Sequence, residues 1–465
     1  MSEKQTAHQD FLTASERIVF DKEHRRKIVY NISKYDQAVV LGKQQFRNLE
    51  FARKRAAVIR SKAINNLDAF LIEFEKNFEE RGGKVIWALD ANNAIKEILT
   101  IMKNNRAKLV VKSKSMVSEE IEINKHLIKK DIEVVETDLG EFIVQQREEP
   151  PYHIVTPAMH LSKEDVADLF HKKFELPKDS SPEQITAFVR NLIRDKFLNA
   201  DIGITGANFL IADTGSVAIT ENEGNAMMSM SFPKIHIVLA GIEKIIPSLS
   251  QLDLFWPLLA THGTGQFISV YNSIVSGPKQ EYETDGPAKM YVILIDNKRT
   301  ELLGQHHQRK ALTCIRCGAC LNACPVYCNV GGHAYGTTYS GPIGAIITPW
   351  MKGMEEFKHL SFASTLCGRC TEVCPVHIKL HELLLFNRND AIKQKYYSRS
   401  EKFVMWTYKK LLTGKGRPDT LSAGAKNRIL QRFFAKAWGQ RRTLPVVKKQ
   451  SFRQLYLKYN ENKVK

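Results

Sequence analysis

All eight cysteines of this 465-residue chain lie between Cys314 and Cys374. Seven of them fall into a repeated pattern: Cys314-x2-Cys317-x2-Cys320-x3-Cys324-Pro325, then Cys367-x2-Cys370-x3-Cys374-Pro375. Three closely spaced thiolates wrap one iron–sulfur cube, while the cysteine before proline is directed to the other cube. The spacing therefore predicts two [4Fe–4S] clusters with crossed ligand sets. Cys314, Cys317, Cys320 and Cys374 are assigned to the first, and Cys324, Cys367 and Cys370 to the second. Zinc sites close with separated pairs or Cys/His sets, which this run does not match. A disulfide framework is disfavoured, because no secretory signal opens the chain and the long stretch before Cys314 carries no cysteine.

The second set is one ligand short. Three residues before Cys367, where a symmetric module carries another cysteine, stands Ser364. A fourth ligand must come from elsewhere, or one iron is open. The nearest candidate is Cys328 in Cys324-Pro-Val-Tyr-Cys328, although a free, part-buried thiol is the plainer reading of it. Ser364, His333 and His377 read as hydrogen-bonding or surface residues.

With 43% hydrophobic and 25% charged residues, the chain is ordinary globular protein of two or three domains. No apolar run reaches the roughly 18 to 20 residues that span a bilayer. Reduced thiols without a signal peptide predict the cytoplasm. Charge is uneven: residues 391–465 hold 20 Lys and Arg against Glu401, Asp419 and Glu461, which is +17 of the net +18.

From about Ala14 to Glu80 the pattern is helical and charge-rich, stopped by Gly82-Gly83. The period then changes. Lys84 to Leu89 reads as a strand, Asp90 caps a helix to about Asn104, Lys108 to Lys112 is a second strand, Met116 to Lys130 a second helix and Ile132 to Glu136 a third strand. Such alternation predicts βαβ units and a parallel sheet. Ser181-Pro182-Glu183-Gln184 opens a further helix to about Leu198. Ile202–Ile204, Phe209–Ala212, Val217–Thr220, Ile235–Ala240 and Ala288–Asp296 read as strands, with a hairpin turn at Asp213-Thr-Gly215-Ser. Beyond Glu301 the strand signal fades, and the cysteine region reads as helical.

Three segments together resemble the lactate utilization protein B family: Ala200 to Asn225, His236-Ile-Val-Leu-Ala-Gly-Ile-Glu-Lys244, and Cys324-Pro-Val-Tyr followed by Gly331-Gly-His-Ala-Tyr-Gly336. The resemblance spans nearly the whole chain. It implies an α/β, Rossmann-like LUD domain of the NagB/RpiA/CoA-transferase-like kind, a ferredoxin-type domain and a basic C-terminal extension. The expected boundaries are a helical N-terminal segment 1–80, a LUD domain 81–300, an α-helical two-cluster ferredoxin domain 301–390 and a basic helical extension 391–465. The implied role is oxidation of L-lactate to pyruvate together with other subunits, one of them a cysteine-rich iron–sulfur partner. Cys328 departs from the family pattern, where that position is commonly basic. No catalytic residue is carried over.

Lactate to pyruvate releases two electrons and two protons, whereas an iron–sulfur cube accepts one electron at a time, so a hydride acceptor such as flavin belongs between them. The chain lacks a Gly-x-Gly-x-x-Gly turn after a strand, so no dinucleotide is indicated. His262-Gly-Thr-Gly-Gln266 reads as a loop. The expected function is an electron-transfer subunit; the alternative makes the LUD domain an enzyme on an acyl or carboxylate substrate. Glu221-Asn-Glu223-Gly-Asn225 follows a strand end, where it reads either as acid/base carboxylates or as a solvated acidic loop. Lys112 and Lys114 read as surface lysines or an anion site. Asn427 to Gly439 sets Ile429, Leu430, Phe433, Phe434 and Trp438 among Arg428, Arg432 and Lys436, a basic amphipathic helix for packing, a partner or the inner membrane face. Nucleic acid is not expected, since the basic tail contains no recognised nucleic-acid module.

Overall fold

Among the described residues, four α-helices precede the first strand: Ala7–Val19, Lys22–Gly42, Leu49–Asn65 and Leu67–Glu79. Thr6, Asp21 and Asn48 open the first three by accepting the amide hydrogens of Gln9, His24 and Phe51. Leu67, Leu71, Phe74 and Phe78, at helical spacing, form the buried stripe of the fourth. The computed structural model describes residues 6–413, 421–439 and 443–464.

Among the described residues ten strands follow in chain order: β1 Lys84–Ala88, β2 Leu109–Lys112, β3 Glu133–Glu136, β4 Ile202–Gly206, β5 Phe209–Ile211, β6 Ser216–Glu221, β7 Ile235–Gly241, β8 Ile245–Ile246, β9 Tyr271–Val275 and β10 Lys289–Ile295. Six pair in parallel in the order β1-β10-β7-β4-β2-β3. The period of two sorts their side chains onto opposite faces. Val110 and Val134 join the helices Ala91–Asn104 and Ile123–Ile128 in one apolar layer, while Val111 and Val135 meet Leu139–Gln146, Lys163–Phe174 and Pro182–Asn199 in another. Val238, Val292 and Leu294 face the N-terminal helices and a second sheet. This second sheet, β8-β5-β6-β9, includes the expected hairpin, which turns at Gly215 with φ +57°.

The capping box at Ser181 and Gln184 forms as expected. The helix expected from Met116 to Lys130 is instead two, Met116–Glu120 and Ile123–Ile128, broken where Glu122 takes φ +52°. The pair β8 and β9 had no clear sequence signal: one is two residues long, and the other lies at a sheet edge with part-exposed side chains.

After β10 the described residues hold helices and loops only. The chain divides into two compact units, 1–394 and 395–465. The second contains helices Arg399–Thr413, Ala423–Ile429, Ala435–Trp438 and Phe452–Val464. The single amphipathic helix expected over Asn427–Gly439 is interrupted by a π-helical turn, Leu430–Phe434, and Phe433 is 70% exposed. The side chain of Lys436 lies outside the described residues. Among the described residues no helix is long and apolar enough to cross a membrane.

Candidate metal centre

The cysteine segment folds as two matching half-motifs. Cys317-Gly318-Ala-Cys320 and Cys367-Gly368-Arg-Cys370 each turn through a glycine at φ +82° and +83°, then enter one-turn helices, Ala319–Asn322 and Arg369–Glu372. Only glycine takes that left-handed conformation without strain. The residues just ahead, Arg316 and Leu366, also match, with φ +62° and +55°. In the first half, the Arg316 amide donates to Cys314 Sγ at 3.4 Å; in the second, the Leu366 amide donates to Ser364 Oγ at 3.2 Å. Ser364 therefore stands in its half-motif where Cys314 stands in the other.

All eight cysteines are free thiols. Burial raises Cys317 and Cys320, and the charges of Cys314 and Cys374 raise both further. Cys374 is pushed up to about 12 by burial and by Cys314. Burial also pushes Cys370 up to about 11, with Cys324 and Cys367 adding to it, and Cys324 is raised by burial and by Cys367. Cys367, the exposed member, is lowered by the Arg369 amide. Cys314 thus acts on Cys317, Cys320 and Cys374, and Cys367 acts on Cys324 and Cys370. Thiols gathered this closely oppose each other's ionisation unless a cation joins them, and a thiolate-bound iron centre supplies that charge. The donor set fits [4Fe–4S] ligation.

Cys328 is half-buried, donates its thiol to the Asn322 carbonyl at 3.2 Å and is pushed up to about 12 by burial and by Cys324. His333 bonds the Pro150 carbonyl at 2.8 Å, and His377 faces Glu50 at 3.3 Å.

Buried charges hold this segment against the α/β core. Arg60 is 1% exposed and donates to the carbonyls of Glu243, Ile245, Leu312 and Thr313. Its position was open to inference, because Ala56, Arg60, Ala63 and Ile64 form the buried stripe of helix Leu49–Asn65. Arg299 makes a bidentate pair with Glu120 at 2.9 and 2.7 Å and meets Glu243 at 2.5 Å. Glu243 also takes Arg316 Nη2 at 3.2 Å, while Tyr339 donates to Glu120 at 2.6 Å. Burial disfavours the Glu243 charge, but Arg299 and Arg316 outweigh it and hold the carboxyl down to about 2. These residues are far apart in sequence, and nothing in their local patterns marked them as partners.

A cavity of about 410 Å³ opens beside Cys317, its lining including Arg316, Ser113, Lys114, Gly206 and Asn208. The last four stand at or just after the ends of β2 and β4, so the cavity lies at the carboxyl ends of the parallel strands. Lys112 is not the surface lysine expected. It is 0% exposed, and its ammonium meets Glu136 at 2.9 Å, Glu119 at 3.0 Å and Glu141 at 3.9 Å, carboxylates that offset the cost of burial. Lys114 lines the cavity and donates to the Val155 carbonyl.

The Glu221–Asn225 segment is not a loosely solvated loop. Glu221 accepts the amides of Ala226 and Met227 at 2.7 and 2.8 Å, and Glu223 accepts that of Leu139 at 3.1 Å. Although part of its surface reaches solvent, Glu223 is pushed up to about 7 by desolvation and by the Asp138 charge. His262 and Gly263, expected in a loop, form the last turn of helix Leu252–Gly263, where His262 is buried and lowered to about 4 by burial.

Comparison with known proteins agrees with this arrangement. A family described as LUD domain matches residues 71–295, and one described as 4Fe-4S dicluster domain matches residues 310–378, which include all eight cysteines. The chain is 43% identical over 385 residues to lactate utilization protein B of Bacillus velezensis, covering 82% of this chain and 80% of that one. The Bacillus pumilus protein of the same name is 40% identical over 429 residues, covering 89% and 90%. That of Bacillus thuringiensis is 45% identical over 347 residues, covering 75% and 73%. A solved DUF162 family protein from Deinococcus radiodurans matches at 14% identity and TM-score 0.28, over 50% of this chain and 98% of its own.

Proposed function

The chain belongs to the lactate utilization protein B family, and from that premise we propose that it is the iron–sulfur electron-transfer subunit of a complex that oxidises L-lactate to pyruvate. What supports this reading is the 4Fe-4S dicluster match over residues 310–378 together with the matching half-motifs around Cys317 and Cys367. When bound, two [4Fe–4S] clusters supply one-electron transfer.

The chain's own residues divide the work. Cys314, Cys317, Cys320 and Cys374 hold the first set, and Cys324, Cys367 and Cys370 hold the second, with the Ser364 hydroxyl at its fourth corner. The amides of Arg316 and Ile378 donate to Cys314 and Cys374 sulfurs at 3.4 and 3.3 Å. Hydrogen bonds of this kind to cluster sulfurs tune the reduction potential. Cys317 and Cys374 are buried, whereas Cys367 is exposed, so the second set is the face offered to an electron partner.

The two-electron chemistry of lactate is assigned to the other subunits, one of them a cysteine-rich iron–sulfur protein, with a flavin or similar hydride acceptor among them. The basic extension, residues 391–465, is assigned to attachment, at a partner or at the inner membrane face. A second reading, the LUD domain as an enzyme on an acyl or carboxylate substrate, draws on Glu223 at the cavity. Turnover measured on the single chain and on the reassembled complex separates the two. The subunit reading requires lactate oxidation by the complex alone.

A further inference from the structure

The order β1-β10-β7-β4-β2-β3 places a topological switch point between β2 and β4. From β2 the chain moves outward to β3, while from β4 it moves inward to β7 and then β10, so the connections leave the adjacent carboxyl ends in opposite directions. Open α/β sheets bind ligands in the crevice at that point. The 410 Å³ cavity lies there, with Ser113 to Val117 after β2 and Gly206 to Asn208 after β4 in its wall.

Two buried cations in this wall are incompletely matched. Lys244 is 9% exposed and forms no hydrogen bond or salt bridge among the described residues, its charge being met at longer range by Glu243 and Cys314. Arg316, whose side chain is 8% exposed, spends Nη2 on Glu243 but leaves Nη1 buried without a hydrogen-bond partner. A buried cation is costly unless an anion meets it. Lys114 adds a third positive charge to the lining, where it also acts on Glu223.

The carboxylates of the lining limit which anion fits. Asp138, Glu221 and Glu223 also line the cavity, so a dianion is repelled about twice as strongly as a monoanion. Asn208 accepts the Thr220 amide and Asn225 donates to Thr137, which leaves the Asn208 amide nitrogen and the Asn225 amide oxygen for a neutral oxygen beside the anionic end, while Asn222 is bonded to Gln266 and Val270. The volume admits a small acid with ordered waters, each about 30 Å³. We propose that this cavity binds a 2-hydroxy or 2-oxo monocarboxylate, with Lys244, Arg316 and Lys114 holding the carboxylate and Asn208 and Asn225 facing the 2-oxygen. The choice of acid rests on the lactate reading above; the site itself rests on the cavity and its unmatched cations.

The test uses the iron-replete full chain, purified anaerobically and titrated calorimetrically with L-lactate, pyruvate and inorganic phosphate. Saturable binding of lactate or pyruvate is expected, with phosphate at least tenfold weaker. Lys244→Met and Lys114→Met should each weaken the acid at least tenfold. Lys114 is remote in sequence from the cysteines, so Lys114→Met should keep full iron content even if Lys244→Met does not. No saturable binding of either acid would overturn the proposal, leaving the cations to balance the charge of the neighbouring thiolate centre alone. Tighter binding of phosphate, or binding untouched by Lys114→Met in iron-replete protein, would overturn it equally. If acid binding fails while the partner subunits still reduce the centre with lactate, this inference falls and the subunit reading stands; a lactate-unresponsive complex defeats the latter.

Discussion

Ser364 accepts the Leu366 amide just as Cys314 accepts the Arg316 amide, at 3.2 and 3.4 Å, so oxygen replaces sulfur at one corner of otherwise matching half-motifs. The replacement makes the second set chemically distinct, because a hard hydroxyl is a poorer partner for iron–sulfur chemistry than a thiolate. Ser364→Cys is expected to complete that set. Its EPR signal should shift and its iron should resist chelators longer than in the parent, with the first set's signal unchanged. Identical spectra and chelation rates in parent and variant would place Ser364 outside the set.

Cys314→Ala and Cys324→Ala should damage different clusters. Each is expected to lose about half of the iron, since each removes a thiolate from a different four-iron set. Their residual EPR spectra should be complementary. Cys328→Ser should leave both signals in place, because its thiol already donates to the Asn322 carbonyl. Loss of one signal in that variant would move Cys328 into the ligand list.

Arg299→Leu removes the cation shared by Glu120 and Glu243, both almost fully buried. Breaking such a network from one side costs about 3–5 kcal/mol, because uncompensated buried charge remains. Denaturant unfolding should show a loss of that size. A change below about 1 kcal/mol would mean that water reaches the carboxylates and that the network is not buried.

Glu223 gives a pH-dependent prediction of definite sign. Its carboxyl is raised in the folded chain, so the fold prefers it protonated, and stability is lost as pH rises from the ordinary carboxylate range through about 7. Glu223→Gln should therefore raise the thermal midpoint, and by more at pH 8 than at pH 5. An equal gain at both pH values would show that the carboxyl titrates normally.

How much of this was legible in the sequence depended on whether the signal was local. The iron–sulfur character of the cysteine segment follows from spacing, and the β2 and β4 strands from short runs of apolar residues. The break at Glu122 was hidden because apolar periodicity continues on both sides of it. Lys112 misled because a lysine after a strand is usually exposed, and its three carboxylates arrive from Glu119, Glu136 and Glu141 only on folding. The same holds for Arg316 and Glu243, which come together across 73 residues. Ser364 was legible as a missing cysteine, but the equivalence of its hydroxyl to the Cys314 sulfur required the backbone geometry.

Truncation after Ser398 removes most of the basic extension, which forms a compact unit separate from residues 1–394. Iron content and EPR signals should survive it, while assembly with partner subunits or binding to anionic vesicles should weaken. For the full chain, binding that depends on these charges should fall steeply with salt, as exposed charges are screened within about 8 Å at physiological ionic strength. Loss of iron on truncation would make the extension part of the cluster-bearing core.

The most direct test of the electron-transfer assignment is anaerobic EPR of the pure chain and of the reassembled complex, each mixed with L-lactate and, separately, with dithionite. Dithionite should reduce two cluster signals in the chain alone, lactate should leave them oxidised, and lactate should reduce them once the partner subunits are added. Reduction of the isolated chain by lactate, with pyruvate formed at a rate matching the complex, would contradict that assignment and make the LUD domain the catalyst.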